Sequence, residues 1–127
     1  MSDPIILASK SESRARLLRN AGVACTVTPA RIDEDMVKMA LEAEDAPPRD
    51  IADTLAEMKA RKVAEKFQGG LVLGCDQVLS FKGRVLSKPE TPDAARDQLT
   101  ALRGETHQLL SAAVIYEDQK TVWRHVG

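Results

Sequence analysis

Aromatic side chains are scarce, at 3% of 127 residues with one Trp, one Tyr and two Phe, so aliphatic residues must build the core. No apolar run approaches the roughly 20 residues that a membrane span requires. The opening MSDPIILASK also lacks the charged, apolar, small-residue order of a secretory signal. The expected compartment is therefore the cytoplasm. An excess of one charge is missing too: 18 Lys plus Arg against 19 Asp plus Glu gives a formal charge of −1. That balance provides no basic footprint for nucleic acid. Cys25 and Cys75 are too few for a disulfide framework and have no metal-ligand spacing; both lie in apolar stretches and read as reduced core residues. With 43% hydrophobic and 29% charged residues, the sequence has the balance of one globular domain over residues 1–127.

Apolar patterning gives the order of elements. Ile5-Ile6-Leu7-Ala8 reads as a strand buried on both faces and runs into a serine-rich helix start. Leu17, Leu18 and Ala21 are expected to form the stripe of that helix, with Gly22 as its stop. Residues 23–27 alternate like a second strand, and residues 30–50 read as a loop carrying a short helix. From Arg49 to Phe67 the positions Ile51, Ala52, Leu55, Ala56, Met58, Val63 and Phe67 recur at helical spacing, and Gly69-Gly70 closes the segment. A central strand is expected over 71–79, then a Lys82-Gly83 turn into a short strand at 84–86. A helix opens at Pro92 with Ala95, Leu99 and Leu102 on one face, and strands follow at 106–116 and 120–126. Helices alternating with buried strands predict an α/β fold with a mixed sheet flanked by helices. Because the chain stops inside a strand pattern, the domain is expected to continue beyond Gly127.

Three places break the patterning. Asp76 interrupts the apolar run from Leu71 to Leu79, and burying an unpartnered carboxylate costs several kcal/mol. A cation, a metal ion or a reaction would explain it; a strand-end Asp capping a backbone group is the alternative. Lys59 projects between Leu55 and Val63 on the apolar helix face and needs an anion there, unless it snorkels outward along its stem. Ser9-Lys10-Ser11-Glu12-Ser13-Arg14 lies at a strand-to-helix junction, where free N–H groups, hydroxyls and a guanidinium could meet phosphate oxygens, although a serine there can simply cap the helix. Lys88-Pro89 adds a cation, and Glu34 in an acidic stretch could ligate Mg²⁺ through oxygen or merely be solvated. His107 and His125 have no ligand-like spacing. Together these groups suit hydrolysis at a polyphosphate.

The segments IILASKSESR, ARIDED, LAEMKARKVA, LVLGCDQVLS, LSKPET and ALRGETHQLLSAAVI, in this order, resemble the Maf-like nucleoside triphosphate pyrophosphatases and span nearly the whole chain. The resemblance implies a fold like that of inosine triphosphate pyrophosphatases and a homodimer. It also implies cleavage of a nucleoside triphosphate to the monophosphate and pyrophosphate with Mg²⁺ or Mn²⁺. On this reading Asp76 resembles the proton acceptor that activates water and, with Glu34, a metal ligand. Ser9, Ser11, Ser13, Arg14, Lys59 and Lys88 look like the triphosphate cradle. Where the family has Ser-Pro-Arg-Arg, this chain has Ser11-Glu12-Ser13-Arg14, so the first Arg is Ser13. Gln77 stands in place of the Thr of the branch using thymidine and uridine triphosphates and resembles the branch acting on 7-methyl-GTP. The family's final segments have no counterpart here. Two other readings remain: a nucleotide-binding or regulatory module without catalysis, and a structural α/β domain in which Asp76 caps and Lys59 snorkels.

Overall fold

The computed structural model describes residues 4–9, 11–67, 69–86 and 91–127. In chain order they form β1 (Ile5–Ala8), α1 (Glu12–Asn20), β2 (Cys25–Val27), α2 (Glu34–Ala43), α3 (Pro48–Ala64), β3 (Leu71–Phe81), β4 (Arg84–Leu86), α4 (Pro92–Leu102), β5 (Gln108–Glu117) and β6 (Lys120–Val126). The strands make one sheet in the order β2-β1-β3-β5-β6, with β4 also paired to β3. β1 is parallel to β2 and β3, and the remaining pairs are antiparallel. The mixed α/β sheet expected from the sequence is thus the observed architecture.

Local chemistry sets the element ends. Ser11 and Thr91 cap α1 and α4 by accepting from Arg14 N and Ala94 N, and Asp33 caps α2 by accepting from Met36 N. Pro48 occupies the first turn of α3, where no N–H is needed. Asp118 and Gln119 both have positive φ, as the tight turn joining β5 to β6 requires.

α3 lies on one face of the sheet. Ala52, Ala56, Ala60, Val63 and Ala64 from the helix pack with Ala8, Val72, Val78, Ala112, Val114 and Tyr116 from the strands. The approach is unusually close at Gly74: a Cβ there would collide with the carbonyl oxygen of Ala56 and lie 2.7 Å from Ala60 N. Gly74 and the alanine face of α3 therefore fix how near the helix sits to the central strand. α1 takes the opposite face, where Cys25 Sγ donates to Ala15 O at 3.9 Å and Leu7 is fully buried.

Helical periodicity mispredicted two faces. Leu17 is 70% exposed and Ala21 is exposed; α1 buries only Ala15, because the short β1–β2 edge offers it a narrow seat. Leu99 is 68% exposed and α4 buries none of its residues, so its apolar stripe has no covering partner among the described residues. The longest helix ends at Ala64 rather than Phe67, and the central strand runs on to Phe81. Among the described residues no helix is long and apolar enough to cross a membrane.

Candidate active site

The two edges of β3 are paired differently, and this difference opens the site. β5 covers one edge from Leu71 to Ser80. On the other edge β1 pairs with residues 72–74 and β4 with residues 79–81, which leaves 75–78 without a strand partner among the described residues. The gap lies at the carboxyl end of β1, where the chain turns away into α1 on one face while α3 covers the other. Crevices of this kind at strand carboxyl ends are where open α/β sheets bind ligands.

Alternation along β3 sends Asp76 to the α3 face with Gly74 and Val78, and Cys75 and Gln77 to the other face. The close seating of α3 brings Lys59 against Asp76. Its ammonium donates to Asp76 Oδ1 at 3.0 Å and to the Cys75 carbonyl at 3.4 Å, and it pairs with Glu34 Oε1 at 2.7 Å. Lys59 does not snorkel: its side chain is 13% exposed, and that of Asp76 only 7%. Glu34 reaches this cation from the first turn of α2. Asp76 Oδ2 is buried and has no hydrogen-bond partner among the described residues.

The two carboxylates are driven in opposite directions. For Asp76, burial raises the pKa more than the charge and hydrogen bond of Lys59 lower it, and the Glu34 charge adds to the rise. For Glu34, burial also opposes ionisation, but the hydrogen bond and charge of Lys59, with help from Lys38, outweigh it and hold the group below its ordinary value. The pair thus combines a carboxylate with enhanced proton affinity and a firmly ionised neighbour.

A second cluster forms on the α1 side of the same crevice. Ser9 is 5% exposed, and its Oγ accepts from Ser11 N at 3.0 Å and from Arg14 Nη1 at 3.2 Å. Burial pushes the Cys75 thiol up, while the charges of Arg14 and Lys59 pull it down, so cations from both clusters act on this one residue of β3. Ser11 is engaged as the α1 cap, accepting from Arg14 N at 3.2 Å. Ser13 is exposed on α1. Gln77 is exposed and donates from Nε2 to Ser111 Oγ at 3.1 Å. Lys88 lies outside the described residues.

The structure therefore brings Glu34, Lys59 and Asp76 together and joins Ser9 to Arg14 beside them. Three contributors escaped the sequence reading: Gly74, the Cys75 carbonyl and Ser111. A lone glycine inside an apolar strand signals close backbone approach and could have revealed the first; the other two depend on tertiary register. Elsewhere, Arg124 pairs with Glu57 at 2.9 Å and Asp53 at 3.6 Å, beside a cavity of about 220 Å³ lined in part by Arg49 and His125. That cavity does not include Asp76 or Lys59.

An acid pair bridged by a buried cation lies at the end of a parallel strand pair in this mixed α/β fold, and the solved structures agree on the fold. The chain is similar to a HAM1 protein from Coxiella burnetii with a TM-score of 0.56 at 16% identity, covering 99% of this chain and 68% of that one. It is also similar to a nucleoside-triphosphatase, dITP/XTP pyrophosphatase, from Mycobacterium abscessus, with a TM-score of 0.50 at 16% identity and coverage of 98% and 73%. The family is narrower than the fold: residues 4–127 match the Maf-like protein model, and the chain belongs to the Maf family. It is 65% identical over its whole length to a nucleoside triphosphate pyrophosphatase of Roseobacter denitrificans and 61% identical to one of Ruegeria pomeroyi. It is 48% identical over its whole length to a 7-methyl-GTP pyrophosphatase of Brucella abortus. The chain spans 64% of the length of each of these curated relatives.

Proposed function

We propose that this chain binds a nucleoside triphosphate in the crevice at the end of β1 and hydrolyses it to the monophosphate and pyrophosphate. The observation that carries the reading is the Lys59 ammonium held between Glu34 and the buried Asp76. A buried carboxylate with raised proton affinity beside a cation is suited to take a proton from water. The oxygen of that water bonds to the α-phosphorus, the bond from that phosphorus to the bridging oxygen breaks, and pyrophosphate leaves with the bonding pair. Arg14, anchored by Ser9, offers a guanidinium fork for phosphate oxygens. Lys59 balances charge on the other side of β3, and Lys88 belongs to the same proposed cradle.

A divalent cation, Mg²⁺ or Mn²⁺, fits the donor set. Asp76 Oδ2 is a buried acceptor without a partner, Glu34 is held ionised nearby, and Mg²⁺ is commonly held by one or two carboxylates together with substrate phosphates. Among the described residues no group of three His, Cys, Asp or Glu is placed to hold a metal ion. Bound beside Asp76 and Glu34, the cation would neutralise charge on the phosphate oxygens. Gln77 is assigned to the base-facing side, with a 7-methyl-GTP-like substrate, a choice supported by the relative from Brucella abortus. The homodimer and the cytoplasmic location implied by the family resemblance belong to the same proposal, and sedimentation reads the first directly.

Pyrophosphate release from common and methylated triphosphates with Mg²⁺ or Mn²⁺ tests the proposal. Turnover in ¹⁸O-water should place the label in the monophosphate. Binding without release would favour a nucleotide-binding module, and absence of both would leave a structural domain.

A further inference from the structure

Gln77 and Ser111 stand directly opposite each other in the β3–β5 ladder. Ser111 exchanges both its backbone hydrogen bonds with Gly127, N to O at 2.9 Å in each direction. Its N–H and C=O therefore point away from β3, and its pairing with Gln77 is of the non-hydrogen-bonded kind, in which opposed side chains approach most closely. The 3.1 Å contact from Gln77 Nε2 to Ser111 Oγ follows from that register. With one Nε2 hydrogen on the hydroxyl, the carboxamide turns its carbonyl oxygen, an acceptor, away from Ser111 and keeps one further N–H. Neighbouring Asp76 faces the other side of the sheet, and both residues lie in the stretch of β3 whose second edge has no strand partner among the described residues.

We infer that Ser111 is a positioning residue that fixes the Gln77 carboxamide with its oxygen outward, so that the pair favours a guanine-type base. Guanine presents two adjacent donors, N1–H and the 2-amino group, to a single acceptor, whereas uracil and thymine present one N–H flanked by carbonyls. The inference rests on the proposed base-facing role of Gln77. Loss of Ser111 releases the carboxamide to rotate and offer its N–H groups, which suit the pyrimidine carbonyls equally well.

The test measures affinity of the whole chain for the α,β-methylene analogues of 7-methyl-GTP and UTP by calorimetry with Mg²⁺. The proteins are the wild type, Ser111→Ala, Ser111→Thr and Gln77→Ala. Losing one neutral hydrogen bond should lower the 7-methyl-GTP to UTP preference of Ser111→Ala roughly three- to tenfold. Ser111→Thr, which keeps the hydroxyl, should restore it. In amide NMR spectra the Gln77 side-chain NH₂ signals should move in Ser111→Ala and return in Ser111→Thr. If Gln77→Ala changes the preference and Ser111→Ala does not, the positioning role is wrong while the reading of Gln77 stands. If Gln77→Ala also leaves it unchanged, or the wild type shows no preference, the base-facing reading itself fails and takes the inference with it.

Discussion

Replacing Lys59 by Met keeps the aliphatic stem and removes the charge on which the candidate site depends. The ammonium pairs with Asp76 at 3.0 Å and with Glu34 at 2.7 Å. An opposite charge at such range lowers a carboxyl pKa by about 1–3 units. Its removal therefore disfavours ionised Asp76. The sign of the pH dependence follows. The folded-state pKa of Asp76 already lies above its unfolded value, so its contribution favours folding as pH falls through the folded pKa and opposes folding above it. In Lys59→Met that pKa rises further, so the stability loss should be greatest at high pH and shrink on acidification, as Asp76 takes up a proton instead of standing as a buried unpaired charge. Glu34 behaves oppositely: its lowered pKa stabilises the fold above its unfolded value, a contribution lost only as pH falls through the folded one. Its 43% side-chain exposure keeps that term small. Urea unfolding at about pH 5 and about pH 8 separates the effects, because the midpoint shift reads stability at constant m. The expected loss is roughly 3–5 kcal/mol at the higher pH and clearly less at the lower. A loss of equal size at both, or none at either, would refute the ion-pair reasoning.

Three further outcomes are expected. Gly74→Ala forces a methyl group against the Ala56 carbonyl and should cost about 1–3 kcal/mol while lifting Lys59 away from Asp76, so turnover should fall further than thermal stability alone explains; an unchanged melting temperature would show that α3 yields freely. Ser9→Ala removes the acceptor that anchors Arg14 and should raise KM for the triphosphate more than it lowers kcat, which steady-state kinetics would resolve. Glu34→Gln should raise the Mg²⁺ concentration needed for half-maximal activity, and an unaltered metal titration would remove Glu34 from the ligand set.

The sequence betrayed Asp76 and Lys59 because each put a charge where the period of its element demanded an apolar group, and a buried charge needs a partner. It also carried the sheet type, since apolar runs joined by helices imply parallel strands. Leu17 and Leu99 show the limit of the same logic. Periodicity identifies a stripe on a helix but not whether anything covers it, and α1 and α4 leave theirs largely open. Ser111 was illegible for another reason: its place opposite Gln77 is set by strand register, which shifts every pairing when it slips by one residue and leaves no local mark. The Cys75 carbonyl became available to Lys59 only because β1 ends at Ala8 and β4 begins pairing at Leu79.

The central claim is that Asp76 accepts a proton from water attacking a phosphorus atom, and Asp76→Asn tests it most directly, with turnover and nucleotide affinity measured on the same protein. The substitution removes a desolvated charge with little change of shape, so folding and triphosphate binding should persist while kcat falls by roughly 10²–10⁴-fold. Turnover equal to wild type, with binding intact, would contradict the assignment.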